Sequence, residues 1–257
     1  HYVKTVMVPI SLADKVVLER AQTLSLRCSP PVSGAPEENL AYRAAELLRR
    51  ATGYQGGAAI SLEKVIPVAG GLAGGSTNAA AVLVGLNQLW RTGLSVEQLI
   101  QLAIGLGSDI PFFIPSRPAR VEGIGERLTP IVVARPFWMV IATPDVAKST
   151  GNVFRLFDEL TEVWRPDSEA MEAALASGDL KRVAASLGNV FEQVMLPRHP
   201  EIGRLRQVML EAGALGALMS GAGPTVLGLV PDQATGQAVL ARVQPWARSA
   251  YLVQTHQ

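Results

Sequence analysis

The segment Gly70-Gly71-Leu72-Ala73-Gly74-Gly75 constrains this chain more than any other stretch of it. Four glycines in six positions strip the backbone of side chains, so its N–H groups can curl around an anion. The run that follows, Ser76 to Trp90, is rich in Ala, Leu and Val with Gly85 its one glycine, and predicts a buried helix. A helix entered through such a loop aims orphan N–H groups and the positive end of its dipole at the loop. Ser76 and Thr77 fall where a hydroxyl caps the helix, touches a phosphate or reaches a phosphate-bound Mg²⁺. A tight turn with Ser76 as ordinary N-cap would look the same locally. Two named phosphate loops are excluded: no Lys follows Gly74 or Gly75, so G-x-x-x-x-G-K-[ST] is absent, and so is G-x-G-x-x-G.

Composition narrows the class. Of 257 residues, 48% are hydrophobic and 18% charged, which supplies a sizeable core and excludes disorder. A net charge of +1 argues against nucleic acid as a partner, because that footprint needs clustered excess Lys and Arg. The single cysteine, Cys28, can form neither an internal disulfide nor a thiolate metal site, which points to a reducing compartment such as the cytoplasm. No window reaches the roughly 18 apolar residues of a membrane helix. The opening His1-Tyr2-Val3-Lys4-Thr5-Val6-Met7 lacks the plan of a signal peptide and an initiator methionine. His1 therefore reads as a point inside a longer gene product, before which a targeting peptide is conceivable.

Strand-like runs occur at Val6–Ile10, Lys15–Glu19, Thr23–Cys28, Ala58–Glu63, Phe137–Ala142, Thr225–Val230 and Ala250–Val253, with a shorter one at Ala217–Met219. Helical spacing is predicted after Asn39 as N-cap, after Ser95 as N-cap, and over Ser168–Ala176, Leu180–Leu187, Glu201–Glu211 and Asp232–Arg242. Ser29–Glu38 and Lys148–Asn152 read as loops. Strands and helices mix without strict βαβ alternation, so the predicted fold class is α+β. A boundary near residue 132 gives domains 1–132 and 133–257.

Two further segments carry chemistry. Ser220-Gly221-Ala222-Gly223-Pro224-Thr225 is either a second backbone surface against a ligand or a plain strand-entry turn. Gly107-Ser108-Asp109-Ile110-Pro111-Phe112-Phe113 sets one carboxylate between a small-residue turn and an apolar run. A carboxylate there is hydrogen-bonded or functional, because burying it unpaired is costly. It suits a base that accepts a hydroxyl proton during phosphoryl transfer, or else a helix or turn cap. His1, His199 and His256 form no ligand pair, Ser220 lacks a G-x-S-x-G context, and no protein metal site is expected. Phe154 and Phe157 follow a polar loop and pack in the core or reach a site.

Together and in this order, these segments resemble the GHMP kinase superfamily. P-x-x-x-G-L-x-x-x-S-[ST] is matched by Pro67 through Thr77, and the family's third, glycine-rich motif by Ser220 to Gly223. Further segments are similar to the branch acting on 4-diphosphocytidyl-2-C-methyl-D-erythritol: His1 with Thr5, Ile10 to Asp14, Glu38-Asn39-Leu40 with Arg43-Ala44-Ala45, Lys64 to Pro67, and Leu106 to Phe112. Ala73 departs from the family's usual glycine.

The resemblance implies a two-domain fold. Its N-terminal, ATP-binding half is like ribosomal protein S5 domain 2, and its C-terminal half is ferredoxin-like. It implies ATP-dependent phosphorylation of the substrate's 2-hydroxyl with Mg²⁺, in non-mevalonate isoprenoid biosynthesis. By the same resemblance ATP contacts Pro67, Gly70, Gly71, Leu72, Ala73, Gly74, Gly75, Ser76 and Thr77, with Asn39 and Lys64 near the nucleoside. Asp109 falls on the catalytic aspartate, His1 and Phe154 on cytosine-binding positions, and Gly221 and Gly223 on the substrate side. The family's opening strand, with a catalytic lysine and an asparagine, and then a tyrosine, precede the position of His1. The alternatives are a homoserine or mevalonate type of GHMP kinase, or a nucleotide-binding module impaired in catalysis. A monomer or homodimer without membrane or nucleic-acid partners is expected.

Overall fold

Strand pairing and helix burial follow from the patterns above once the partners are known. The computed structural model describes residues 2–32 and 34–256. The chain divides into two compact units, His1–Thr5, Ala13–Val68 and Ala73–Thr129 in the first, and Val6–Leu12, Ala69–Leu72 and Pro130–Gln257 in the second.

The first unit contains, in chain order, β1 (Val3–Met7, whose last two residues count with the second unit), β2 (Lys15–Ala21), β3 (Ser25–Ser29), α1 (Leu40–Thr52), β4 (Gly57–Glu63), α2 (Gly74–Trp90), α3 (Val96–Ile104), α4 (Ile110–Phe113), β5 (Ala119–Gly123) and β6 (Arg127–Pro130, whose last residue counts with the second unit). β4 lies centrally in the order β2-β4-β3, antiparallel to β2 with Lys15 opposite Glu63, and parallel to β3 with Ser25 opposite Ala59. Ala58, Ile60 and Leu62 of β4 alternate onto one buried face. α1 covers that core with Ala41, Ala44, Ala45 and Leu48, the i, i+3, i+4, i+7 stripe of an amphipathic helix. Its three alanines allow close approach to α2, whose Leu83 and Leu86 are fully buried. Each such leucine is worth about 1.5–3 kcal/mol. β1, β5 and β6 form a further sheet in the order β1-β5-β6. The β5–β6 hairpin has no counterpart in the predicted elements, although Ala119, Val121 and Gly123 do alternate inward.

The second unit contains β7 (Trp138–Thr143), α5 (Thr150–Asp158), α6 (Ser168–Ser177), α7 (Leu180–Ala185), α8 (Glu192–Met195), α9 (Pro200–Glu211), β8 (Gly216–Met219), β9 (Val226–Val230), α10 (Gln233–Val243) and β10 (Ser249–Gln254). Its sheet runs β10-β7-β9-β8 and every neighbour is antiparallel. Val140 and Ala142 of β7 face a core shared with α8, α9 and α10, while Met139 and Ile141 face another shared with α6 and α7. Burial on both faces explains why β7 reads as a continuous apolar run rather than an alternating one. Val6, Val8, Ile10, Leu12 and Leu72 pack against the second of these cores, which is how two short stretches of the early chain join this unit.

Several predicted boundaries move: the first strand, read as Val6–Ile10, lies at Val3–Met7, and the helix read to Leu187 ends at Ala185. α2 begins at Gly74 rather than Ser76, and Thr150, read as loop, already starts α5. The shift of α2 is a tertiary effect: a Cβ at Gly74 would stand 2.8 Å from Ile66 Cγ2, so the helix start is pressed against the chain leading into the loop. Among the described residues no helix is long and apolar enough to cross a membrane.

Candidate active site

α1, α3, α6, α7 and α10 each start on a side chain that accepts from the first turn: Asn39, Ser95, Asp167, Asp179 and Asp232. α2, at 17 residues the longest described helix, does not. Its N-cap is Ala73, which has no capping group, and Ser76 lies inside the first turn instead of before it. The Thr77 hydroxyl is turned back on Ala73 O at 3.1 Å. The helix therefore keeps the N–H groups of its first turn without a side-chain cap, the arrangement that suits an anion. Ala73 (φ 52) and Ala69 (φ 56) both occupy the left-handed region, which for a residue with a Cβ costs roughly 1–2 kcal/mol. Strain of this kind persists where surrounding structure over-determines it, as at ligand sites.

The loop has two anchorages. Gly71 packs backbone to backbone on the second glycine segment: a Cβ there would lie 2.5 Å from Ser220 O and 2.7 Å from Gly223 O. Ser220 Oγ donates to Gly71 O at 3.0 Å, and Thr225 N donates to Gly70 O at 3.1 Å. The Thr225 hydroxyl is itself buried and paired with that of Thr143 at 2.8 Å. From Ala73 onward the loop belongs to the first unit. There an added Cβ on Gly74 would come 3.4 Å from Lys64 Nζ, and one on Gly75 would come 3.5 Å from Leu40 Cδ1, beside the Asn39 cap.

Asn39 and Lys64 are both committed to local structure. Asn39 Oδ1 accepts from Ala41 N at 2.9 Å, capping α1. Lys64 Nζ donates to Asp14, and the side chains of the pair are only 9% and 1% exposed. Asp14 Oδ1 also accepts from Val65 N at 2.6 Å and Ile66 N at 2.8 Å, so one buried carboxylate fixes the three residues before Pro67. Removing one partner of a buried pair typically costs about 3–5 kcal/mol.

Asp109 stands at the start of α4, which packs on α2, but its side chain makes no capping hydrogen bond. The cap reading of this carboxylate is thereby removed. Among the described residues its one partner is the Ser108 hydroxyl, at 3.5 Å. The residue keeps an exposed face, yet protein crowds the carboxyl end, and this desolvation pushes its pKa above the ordinary aspartate value against the weaker pull of Ser108. The turn is buttressed by the β5–β6 hairpin, where Gly125 (φ +111) approaches so closely that a Cβ would overlap Ser108 O. Phe154, on α5 in the second unit, meets Phe191 edge-on at 4.8 Å, and Phe157 meets the same ring at 5.3 Å. The expected role of His1 lies outside the described residues.

In the first unit, an uncapped helix behind a glycine loop and a partly desolvated carboxylate are features that suit phosphoryl transfer. The family model for the GHMP kinases N terminal domain matches residues 39–116, and that for the GHMP kinases C terminal domain matches residues 171–246. The 4-diphosphocytidyl-2-C-methyl-D-erythritol kinase of Symbiobacterium thermophilum is 64% identical over 257 residues, covering 99% of this chain and 91% of that protein. The chain belongs to the GHMP kinase family. The 4-diphosphocytidyl-2-C-methyl-D-erythritol kinase of Alkaliphilus metalliredigens is 41% identical over 258 residues, covering 100% of the chain and 89% of that relative. A crystal structure of 4-(cytidine 5'-diphospho)-2C-methyl-D-erythritol kinase superposes with a TM-score of 0.85 at 34% identity, covering 100% of this chain and 91% of that one. Homoserine kinase from Cytophaga hutchinsonii shares the fold, with a TM-score of 0.74 at 18% identity over 96% of this chain and 87% of that one.

Sequence reasoning about this GHMP kinase missed four residues that hold the segments described above. Asp14 was visible only as part of the resemblance, and nothing local marks it as the partner of Lys64. Gly125 matters because of what approaches it, which no spacing reveals. Asn189 and Glu192 lie 30 and 27 residues before the Met219 backbone they bind.

Proposed function

We propose that this GHMP kinase transfers the γ-phosphoryl group of ATP to the 2-hydroxyl of 4-diphosphocytidyl-2-C-methyl-D-erythritol, a step of non-mevalonate isoprenoid precursor synthesis. The observation that carries this reading is the 64% identity to a kinase of that name over 91% of its length. The N-terminal part, residues 1–132, is the ATP-binding domain in this reading, and residues 133–257 form the C-terminal domain.

The ATP phosphates lie along Gly70 to Thr77, where backbone N–H groups and the α2 dipole offset their charge. Pro67, Asn39 and Lys64 line the nucleoside side. Lys64, already neutralised by Asp14, contributes shape there more than charge. Asp109 accepts the proton of the 2-hydroxyl as that oxygen attacks, and its raised pKa brings it closer to the range of an effective base at neutral pH. Buried Ile110 and Phe112 beside it help to keep out water, which would otherwise compete with the hydroxyl. His1 and Phe154 hold the cytosine, and Gly221 and Gly223 lie on the substrate side of the second loop.

Mg²⁺ accompanies ATP in this reading. The described residues contain no cluster of three or more His, Cys, Asp or Glu side chains. The Ser76 and Thr77 hydroxyls, in the first turn of α2, would be the groups to hold the ion, with substrate phosphates and water as its other ligands. When bound it neutralises charge on the phosphates. The enzyme works in the cytoplasm as a monomer or homodimer.

The test is ADP release with ATP and Mg²⁺ in the presence of 4-diphosphocytidyl-2-C-methyl-D-erythritol, homoserine or mevalonate. Release dependent on the first compound alone is expected. Equal or greater turnover of homoserine or mevalonate would reassign the substrate.

A further inference from the structure

The second glycine segment has few side chains with which to hold itself, yet it must meet Gly71 closely. A Cβ on Gly221 would lie only 3.1 Å from Gly71 O, so the two backbones tolerate little displacement. Besides its own backbone bonds and those to the first loop, the segment is held from behind. Asn189 Nδ2 donates to Met219 O and to Gly221 O, each at 2.7 Å. The orientation of that amide is set by its own Oδ1, which accepts from Phe191 N at 2.9 Å. One turn later, Glu192 Oε1 accepts from Met219 N at 2.8 Å. The other oxygen of Glu192 lies 3.4 Å from Arg206 Nη1, with 14% of the Glu192 side chain exposed. Arg206 in turn donates from Nε to Ala217 O at 3.2 Å. Both backbone polar groups of Met219, the last residue of β8, are thus held by side chains from the α8 region.

We infer that Asn189 and Glu192 are positioning residues for phosphoryl transfer. They fix the place of Ser220–Gly223 and, through the Ser220–Gly71 contact, the first half of the phosphate loop. Neither is a catalytic residue, because each acts through Met219 or Gly221. The inference rests on the reading of the two glycine loops as ligand-binding. Its chemical content is specific. The site needs two N–H donors at residue 189, where a carboxylate would face two carbonyl oxygens. It needs an acceptor at residue 192, whether charged or not.

Steady-state kinetics in ATP and melting temperature are measured together on the full chain. Asn189→Asp and Glu192→Leu are expected to lower kcat/KM for ATP about ten- to a hundredfold, the scale of a sub-ångström to one-ångström misplacement. Glu192→Gln keeps the acceptor and is expected to stay within about threefold of wild type by the same argument. Val208→Ala, a core truncation on α9 of the same unit, serves as the control for simple loosening. It lowers the melting temperature and leaves kcat/KM near wild type. The inference is overturned if Val208→Ala reproduces the kinetic loss, if Glu192→Gln is as damaging as Glu192→Leu, or if Asn189→Asp is kinetically silent. Should Asn189→Asp fail to fold, the Glu192 pair decides alone. Gly71→Ala separates the two levels of the argument. If it leaves ATP kinetics unchanged, the phosphate-loop reading fails and takes the inference with it. If it impairs them while Asn189→Asp and Glu192→Leu do not, the inference alone fails.

Discussion

Asp109 precedes the short helix α4 and Glu192 opens the short helix α8, and desolvation pushes both carboxyls above their ordinary range. Their partners differ. Glu192 accepts a backbone N–H from Met219 and faces the Arg206 guanidinium, both of which pull its pKa back down. Among the described residues Asp109 has one hydroxyl partner, at 3.5 Å, beyond the range of a good O–H···O bond. A carboxylate surrounded by donors holds structure, because its lone pairs are occupied and its charge is compensated. One kept partly desolvated with its lone pairs open is available to take a proton. The same side-chain chemistry thus serves two purposes, and the hydrogen-bond inventory separates them where sequence alone does not.

Asp109→Asn makes the sharpest test of that contrast. Loss of a positioned general base should reduce turnover roughly 10²–10⁴-fold. Because Asp109 caps no helix and, among the described residues, pairs with no cation, the fold should survive, and an ADP-release assay beside a thermal melt reads both effects. Turnover within a few fold of wild type would remove Asp109 as the base.

The next effect in size is on pH dependence. The base must be ionised to act, so activity is lost as pH falls through its raised value. The acid limb of kcat/KM should therefore lie above the ordinary aspartate range. In Glu192→Gln that limb should stay where it is. A limb that moves with Glu192 would mean that the two carboxyls have been assigned the wrong way round. The stability consequence has the matching sign. Folded Asp109 holds its proton to higher pH than the unfolded chain does, so its ionisation costs stability as pH rises through that window. Asp109→Asn should consequently melt slightly higher than wild type at neutral pH.

The smallest effect concerns the loop. Ala73 sits at φ 52, so Ala73→Gly relieves left-handed strain while loosening the unfolded chain. The two terms nearly offset, leaving a gain of less than about 1 kcal/mol in a denaturant melt.

Much of this protein was readable residue by residue. The caps at Asn39, Ser95 and Asp232, the stripe of α1 and the apolar run of β7 are set by hydrogen bonds and periodicities a few residues long, and the chain carries them openly. The glycine-rich approach to α2 was legible for the same reason, as was the presence of a carboxylate at Asp109 beside an apolar run. The exact start of α2 was not, because Gly74 is poor at propagating a helix by itself and joins one through packing on Ile66. Nor was the commitment of Lys64, whose charge is met by Asp14, 50 residues earlier. The clasp on Met219 and Gly221, the closeness of Gly71 to Ser220 and the crowding that raises Asp109 all depend on groups remote in sequence. Local chemistry therefore determined which elements form and which groups are able to bind or take a proton. Tertiary structure alone decided which of those groups are already occupied, because hydrogen bonding and desolvation depend on what the fold brings within a few ångströms.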